Sequence, residues 1–200
     1  LVVNRQLLID TCTEYGFTAY ADQGNILFQA FLGDTFDCAQ ALVPVLNQQL
    51  IENSIQMENV DAICVTKGPG SYTGMRVGVI VAKTLAFALN KPLIGVPSTE
   101  LYSPLGMLDG SFAVLIDARM GGVYGAIGSM RDGLAYYDEP FTLPIESLSE
   151  ALAGIRTIVS PHAPRLQEKC TLLREFDWHQ AQPSAKRMDE AAALRWKNGD

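Results

Sequence analysis

The chain is 200 residues long, 48% hydrophobic and 18% charged, which describes one large domain or two small ones with ample apolar material for a core. Its net charge of −7 and pI near 4.8 exclude unaided, backbone-driven nucleic-acid binding, because that mode needs a clustered positive surface to displace counterions. Cys12, Cys38, Cys64 and Cys170 are scattered with no Cys-x-x-Cys pair and, read with no signal peptide, describe reduced thiols in a cytoplasmic protein.

Residues 7–10 read as a short apolar strand that ends in Asp10. Residues 17–21 and 26–31 predict two more strands around the turn 22–25, so the chain opens as an antiparallel meander. Residues 37–53 predict a helix with Ala39, Leu42, Val43, Leu46 and Leu50 on one broad face. Pro44 inside it predicts a bend or a late start, since proline removes a backbone donor and crowds the preceding turn.

Residues 60–65 predict a buried strand, and after a glycine-bearing loop residues 73–90 predict a long helix. The loop holds Gly68, Gly70, Ser71, Thr73 and Gly74, with Arg76 just beyond it. At a helix N-terminus such a loop offers N–H groups to an anion, so a phosphate or nucleotide cradle is one reading. A P-loop, however, needs Gly, four residues and then Gly-Lys-Ser/Thr, which this loop lacks. The reading the sequence favours is a strand-to-helix connection whose glycines permit close backbone packing. Ser71 and Thr73 then serve as turn and N-cap residues, with no neighbouring His motif to make either a nucleophile.

Along 73–90, Arg76, Lys83 and Asn90 recur every seven positions as one narrow polar stripe, and nearly everything else is apolar. A helix lying on one sheet hides roughly 100° of its circumference or somewhat more, so the rest needs a second cover, from the same chain or from a partner. Gly78, Ala82 and Ala86 make a small-residue row that lets another helix approach closely. The candidate docking residues are Leu42, Leu46, Met75, Val77, Gly78, Val81, Ala82 and Leu85. As a membrane span the apolar run 75–89 falls below the required length and is broken by Arg76 and Lys83.

Residues 93–96 predict a closing strand, and the turn-rich segment 99–111 the domain boundary. The pattern then repeats: a strand at 112–117 ending in Asp117, a turn through Arg119, strands at 123–127 and 134–137, a short helix at 146–153, a strand at 157–160 and a helix at 163–174. Residues 184–198 predict a last helix. Two β-β-β-α-β-α units in tandem indicate a duplicated ribonuclease-H-like unit in an α/β chain, with units 1–98 and 99–200 and the final helix free to pack back on the first.

Asp10 and Asp117 hold matching places, and across a cleft between the units they would form a paired acid site for a metal-nucleotide. The alternative is that each bonds to nearby backbone N–H groups. Arg119 would pair with an acid or a phosphate, or stand as a solvated turn charge. The histidines, His162 and His179, form no His-x-x-x-His or His-Glu-x-x-His motif, so no metal site and no metalloprotease are expected.

The run Lys67-Gly-Pro-Gly-Ser-Tyr-Thr-Gly-Met-Arg-Val-Gly-Val79, with Ile9-Asp10-Thr11 before it and residues 116–124 after it, resembles the TsaB (YeaZ) family of bacterial tRNA threonylcarbamoyladenosine biosynthesis proteins. The resemblance implies a two-domain actin-like, sugar-kinase-type ATPase fold. It also implies a non-catalytic subunit with no catalytic residue of its own. The partners it implies are a TsaD-like transferase subunit, a TsaE-like ATPase subunit and, for the chain alone, a second copy, with tRNA reached only through the complex and no membrane involved. Helices 37–53 and 73–90 would do the pairing, and the one cofactor to expect is ATP or ADP at the partner interface. Cys38-Ala39-Gln40 departs from the family's His-Ser-Glu in the first helix. The competing expectation is a stand-alone ATP-dependent phosphotransferase of the same fold, using Asp10 and Asp117 around magnesium.

Overall fold

Two hairpins are set by the same local chemistry. Gln23 and Gly24 (φ 50° and 79°) and Asp132 and Gly133 (φ 51° and 76°) take the left-handed conformation that a two-residue turn between strands requires. In the computed structural model, which describes residues 4–33, 38–104, 106–119, 121–170 and 173–199, the first turn joins β2 (Phe17–Asp22) to β3 (Asn25–Phe31) and the second joins β7 (Gly122–Arg131) to β8 (Leu134–Tyr137).

The chain divides into two units, one running to Leu101 and resuming at Ser184, the other Tyr102–Pro183. In the first, β1 (Arg5–Asp10) pairs antiparallel with β2 and parallel with β4 (Ala62–Thr66), which pairs parallel with β5 (Leu93–Val96), giving the order β3-β2-β1-β4-β5. In the second, β6 (Gly110–Asp117) is central: it pairs antiparallel with β7 and parallel with β10 (Thr157–Ser160), beside which lies β11 (Asp177–Gln180). Read from β8 the order is β8-β7-β6-β10-β11, the same topology as the first sheet, with β9 (Phe141–Pro144) added against β7. This repeated mixed sheet is the actin-like fold that duplication of a ribonuclease-H-like unit produces.

Central strands β1 and β4 are apolar on both faces because both faces are covered. Leu7, Ile9, Ile63 and Val65 share a core with Leu42 and Leu46 of α1 (Cys38–Glu52) and Ala82 and Ala86 of α2 (Tyr72–Leu89). The alternate residue Gln6 points the other way, to α5 (Ala185–Asn198), where its amide donates to Asp189 at 2.7 Å. The second core gathers Leu115, Val123 and Ile158 with Leu148 of α3 (Leu148–Ala151) and Leu166 of α4 (Ala163–Lys169).

Several boundaries differ from the sequence expectation. The last helix packs back on the first unit, as the sequence left open, so the second unit ends at Pro183 and not at the chain's end: Ala185, Met188 and Ala192 are buried. Strands β9 and β11 were not foreseen, being four residues each and half exposed. The helix at 146–153 is a short 3-10 turn, Ile145–Ser147, followed by one turn of α3, and α4 ends at Lys169. Helix α1 continues on both sides of Pro44, so the late start does not occur; its expected first residue, Asp37, lies outside the described residues. With 18 residues α2 does reach the length and apolarity of a membrane span, against the expectation, but Gly78, Ala82 and Ala86 pack it onto the sheet.

Candidate functional site

The loop between β4 and α2 is shaped by what lies beneath it. Ser71 caps α2: its Oγ accepts from Gly74 N at 3.3 Å, while its own N–H donates to Cys12 O at 2.7 Å. Thr11 Oγ1 donates to Gly74 O at 2.8 Å. A Cβ on Gly70 would overlap the carbonyl oxygen of Cys12, one on Gly74 the carbonyl oxygen of Thr11, and one on Gly78 the Thr11 hydroxyl. A Cβ on Gly68 would overlap the Met75 sulfur. The glycines therefore let α2 press against the segment that follows β1. This is the close strand-to-helix packing that glycines permit. Thr73 and Arg76 are exposed on the first turns of α2, where Arg76 lies over the Tyr72 ring, 5.1 Å from its centroid.

Asp10 and Asp117 make the same local turn in their own units. Asp10 Oδ1 accepts from Cys12 N at 3.0 Å, and Asp117 Oδ1 accepts from Arg119 N at 2.9 Å. Their surroundings then part. Asp10 is buried, with Thr66 Oγ1 donating to its Oδ1 at 2.7 Å and Oδ2 without a hydrogen-bond partner. Burial pushes its carboxyl above the ordinary range, against the hydrogen bonds from Thr66 and from the Cys12 and Thr11 amides. Burial likewise pushes the Cys12 thiol up, and Asp10 beside it adds to the shift.

Asp117 is buried with cations around it. Lys169 Nζ lies 2.7 Å from its Oδ2 and an Arg165 guanidinium nitrogen 3.7 Å away, both from α4. The Asp117 amide donates to His162 Nδ1 at 3.0 Å. Burial raises the carboxyl, but the Lys169 hydrogen bond, the Arg119 amide and the Lys169 charge outweigh it and hold it below the usual range. An aspartate occupied by two cations of its own unit is a poor metal ligand, and among the described residues no three His, Cys, Asp or Glu side chains are grouped to hold a metal.

The remaining candidate is a surface. Helices α1 and α2 lie side by side on one face of the first sheet, and their outer sides are apolar in part. Phe87 is 91% exposed and Ile80 61%, with Tyr72 of α2 and Val43 and Ile51 of α1 also exposed. Four of the residues expected to dock, Leu42, Leu46, Gly78 and Ala82, are instead buried in the unit's own core, because the helices turn their smallest and best-fitting residues to the sheet. Met75, Val77, Val81 and Leu85 are half-buried flanks. Ile80 and Phe87, apolar in the sequence but not among the expected docking residues, stand beside the polar stripe; their spacing to Arg76 and Lys83 was the signal.

A model of the family described as TsaD, tRNA N6-adenosine threonylcarbamoyltransferase, matches residues 37–136, half of the chain. The chain belongs to this family, in its TsaB (YeaZ) branch. The tRNA threonylcarbamoyladenosine biosynthesis protein TsaB of Bacillus subtilis (strain 168) is 39% identical over 93 residues, 46% of this chain and 41% of that protein. TsaB of Escherichia coli (strain K12) is 35% identical over 126 residues, 61% of this chain and 54% of that protein. This chain spans about half the length of the curated relatives it matches. The solved structure of YeaZ from Pseudomonas aeruginosa superposes with a TM-score of 0.80 at 26% identity, over 98% of this chain and 94% of that one. Positions 38 and 39 of the Cys38-Ala39-Gln40 departure lie outside the described side chains; Gln40 is exposed.

Proposed function

We propose that this chain is a non-catalytic docking subunit of bacterial tRNA threonylcarbamoyladenosine synthesis. Its outer α1–α2 face seats a TsaD-type transferase subunit, a TsaE-type ATPase joins the same assembly, and a second copy takes the face when the chain is alone. The observation that carries this reading is the exposure of Phe87, 91%, and Ile80, 61%, on a helix whose other side already covers a sheet. The relatives' names support the pathway. A non-catalytic role is supported by the capture of Asp117 by Lys169 and Arg165. With a net charge of −7, contact with tRNA goes through the partner. Any ATP or ADP belongs, in this reading, at the partner interface.

Depletion of the protein followed by mass spectrometry of tRNA nucleosides tests the pathway: threonylcarbamoyladenosine should fall, and unchanged modification overturns the assignment. Titration of the isolated chain with ATP and magnesium tests the phosphotransferase alternative, which requires binding with turnover.

A further inference from the structure

We infer that the exposed stripe of α2 selects its partner by charge: Arg76 and Lys83 make it a seat for a helix that carries carboxylates, and make a second copy of this chain the weaker occupant. The inference rests on the docking role proposed above. Thr73, Arg76, Ile80, Lys83, Phe87 and Asn90 are all exposed and follow the alternating three- and four-residue spacing of a helix-pairing seam. The two cations therefore flank Ile80, and Lys83 adjoins Phe87, at positions that a covering helix would desolvate.

Among the described residues neither cation is matched by a carboxylate. Arg76 rests over Tyr72, and Lys83 enters no ion pair. Along α1 and α2 the one acidic residue is Glu52, and its two oxygens each accept at 2.8 Å from the amides of Gln48 and Gln49. The seam is thus a local positive strip on a protein of net charge −7.

Self-pairing places this strip against itself. In an antiparallel pair of α2 helices centred near Ile80, Arg76 of one copy meets Lys83 of the other; in a parallel pair each cation meets its own kind. If α1 of the second copy covers α2 instead, it offers one carboxylate, Glu52, to two cations. Like charges in a desolvated seam repel, whereas a partner with Asp or Glu at a seven-residue spacing around apolar side chains forms charge-assisted hydrogen bonds with both.

The test uses the full chain and a TsaD-type subunit from the same genome. Hetero-association is read by titration calorimetry and self-association by sedimentation equilibrium, each at low and high salt, about 50 and about 500 mM. R76Q/K83Q should weaken hetero-association by about tenfold or more and tighten self-association, and R76E/K83E should weaken hetero-association by about a hundredfold. Thermal unfolding of both variants should match the parent, since both side chains are exposed, and the salt dependence of hetero-association should be lost in R76Q/K83Q. Hetero-association that ignores these substitutions, or self-association that R76Q/K83Q leaves unchanged or weakens, overturns the inference. The variant I80S/F87S separates this from the underlying reading: if it alone abolishes hetero-association, docking stands and charge selection falls. If it too leaves hetero-association intact, the docking role itself falls.

Discussion

Lys169 Nζ lies 2.7 Å from Oδ2 of Asp117, a carboxylate whose side chain is 1% exposed. The contact ties the end of α4 to the end of the central strand β6. Removing the cation leaves a buried charge offset by Arg165, at 3.7 Å, and by the hydrogen bond from the Arg119 amide. Breaking a fully buried pair costs about 3–5 kcal/mol. Lys169 is about a third exposed and Arg165 remains, so Lys169→Met should cost about 1–2 kcal/mol in urea unfolding at pH 7. The folded carboxyl sits below its unfolded value, so this stabilisation is complete above the unfolded carboxylate range and is lost as pH falls through the folded value. Lys169→Met should therefore differ least from the parent in strong acid.

Asp10 predicts the opposite pH dependence. Its folded carboxyl is raised, so folding binds a proton in the window between the unfolded and folded values, and stability falls as pH rises through that window. Asp10→Asn keeps an acceptor for Cys12 N and Thr66 Oγ1 and removes the charge. The variant should gain on the parent as pH rises above the unfolded carboxylate range, in denaturant unfolding at each pH. A difference that does not change with pH would mean that Asp10 titrates as an ordinary carboxyl.

Much of this arrangement was legible in the residues. Strands β1, β4 and β6 announce themselves because central strands covered on both faces are continuously apolar, and Gln-Gly and Asp-Gly mark the hairpins because their turns need positive φ. Strands β9 and β11 were not, because edge strands with alternately exposed side chains have no apolar run to betray them. The docking face was half legible. Composition shows that α2 has more apolar surface than one sheet can cover, but apolarity does not say which side meets the sheet. That is decided by fit: Gly78, Ala82 and Ala86 can approach closely, so they turn inward and leave Ile80 and Phe87 outside.

This orientation takes Ala82, a docking candidate from sequence, off the outer face and into the fold. Ala82 is fully buried in the first core, so Ala82→Leu should overpack it and cost about 1–3 kcal/mol in thermal or urea unfolding.

The two helical glycines over Thr11 should separate in cost. Alanine improves intrinsic helix propensity by about 1 kcal/mol at either site. At Gly78 the new Cβ meets a side-chain hydroxyl, which can turn away at the loss of its hydrogen bond to Gly74 O, about 1 kcal/mol. At Gly74 it meets the backbone carbonyl of Thr11, which cannot move without dragging the end of β1. Gly78→Ala should therefore be close to neutral and Gly74→Ala clearly destabilising in thermal unfolding. Equal effects would mean that the loop, and not the glycine contact, yields.

The last helix should behave as part of the first unit's core. Met188 is fully buried in α5, and the same helix is held by Gln6 donating to Asp189 at 2.7 Å and by Arg195 bonding both oxygens of Glu100 at 2.6 and 2.9 Å. Gln6 in turn accepts from the buried Cys64 thiol at 3.0 Å, so the polar chain runs into the sheet. Loss of α5 would leave Gln6 without its carboxylate partner and would uncover the apolar face around Leu8. Met188→Ala should cost about 2–5 kcal/mol, as for other fully buried large-to-small changes. Leu194, half exposed on the same helix, supplies the control: Leu194→Ala should stay within about 0.5 kcal/mol. Hydrogen exchange places the effect, since Met188→Ala should speed exchange in β1 and β5 as well as in α5. Exchange confined to α5 would show the helix to be an appendage that opens on its own.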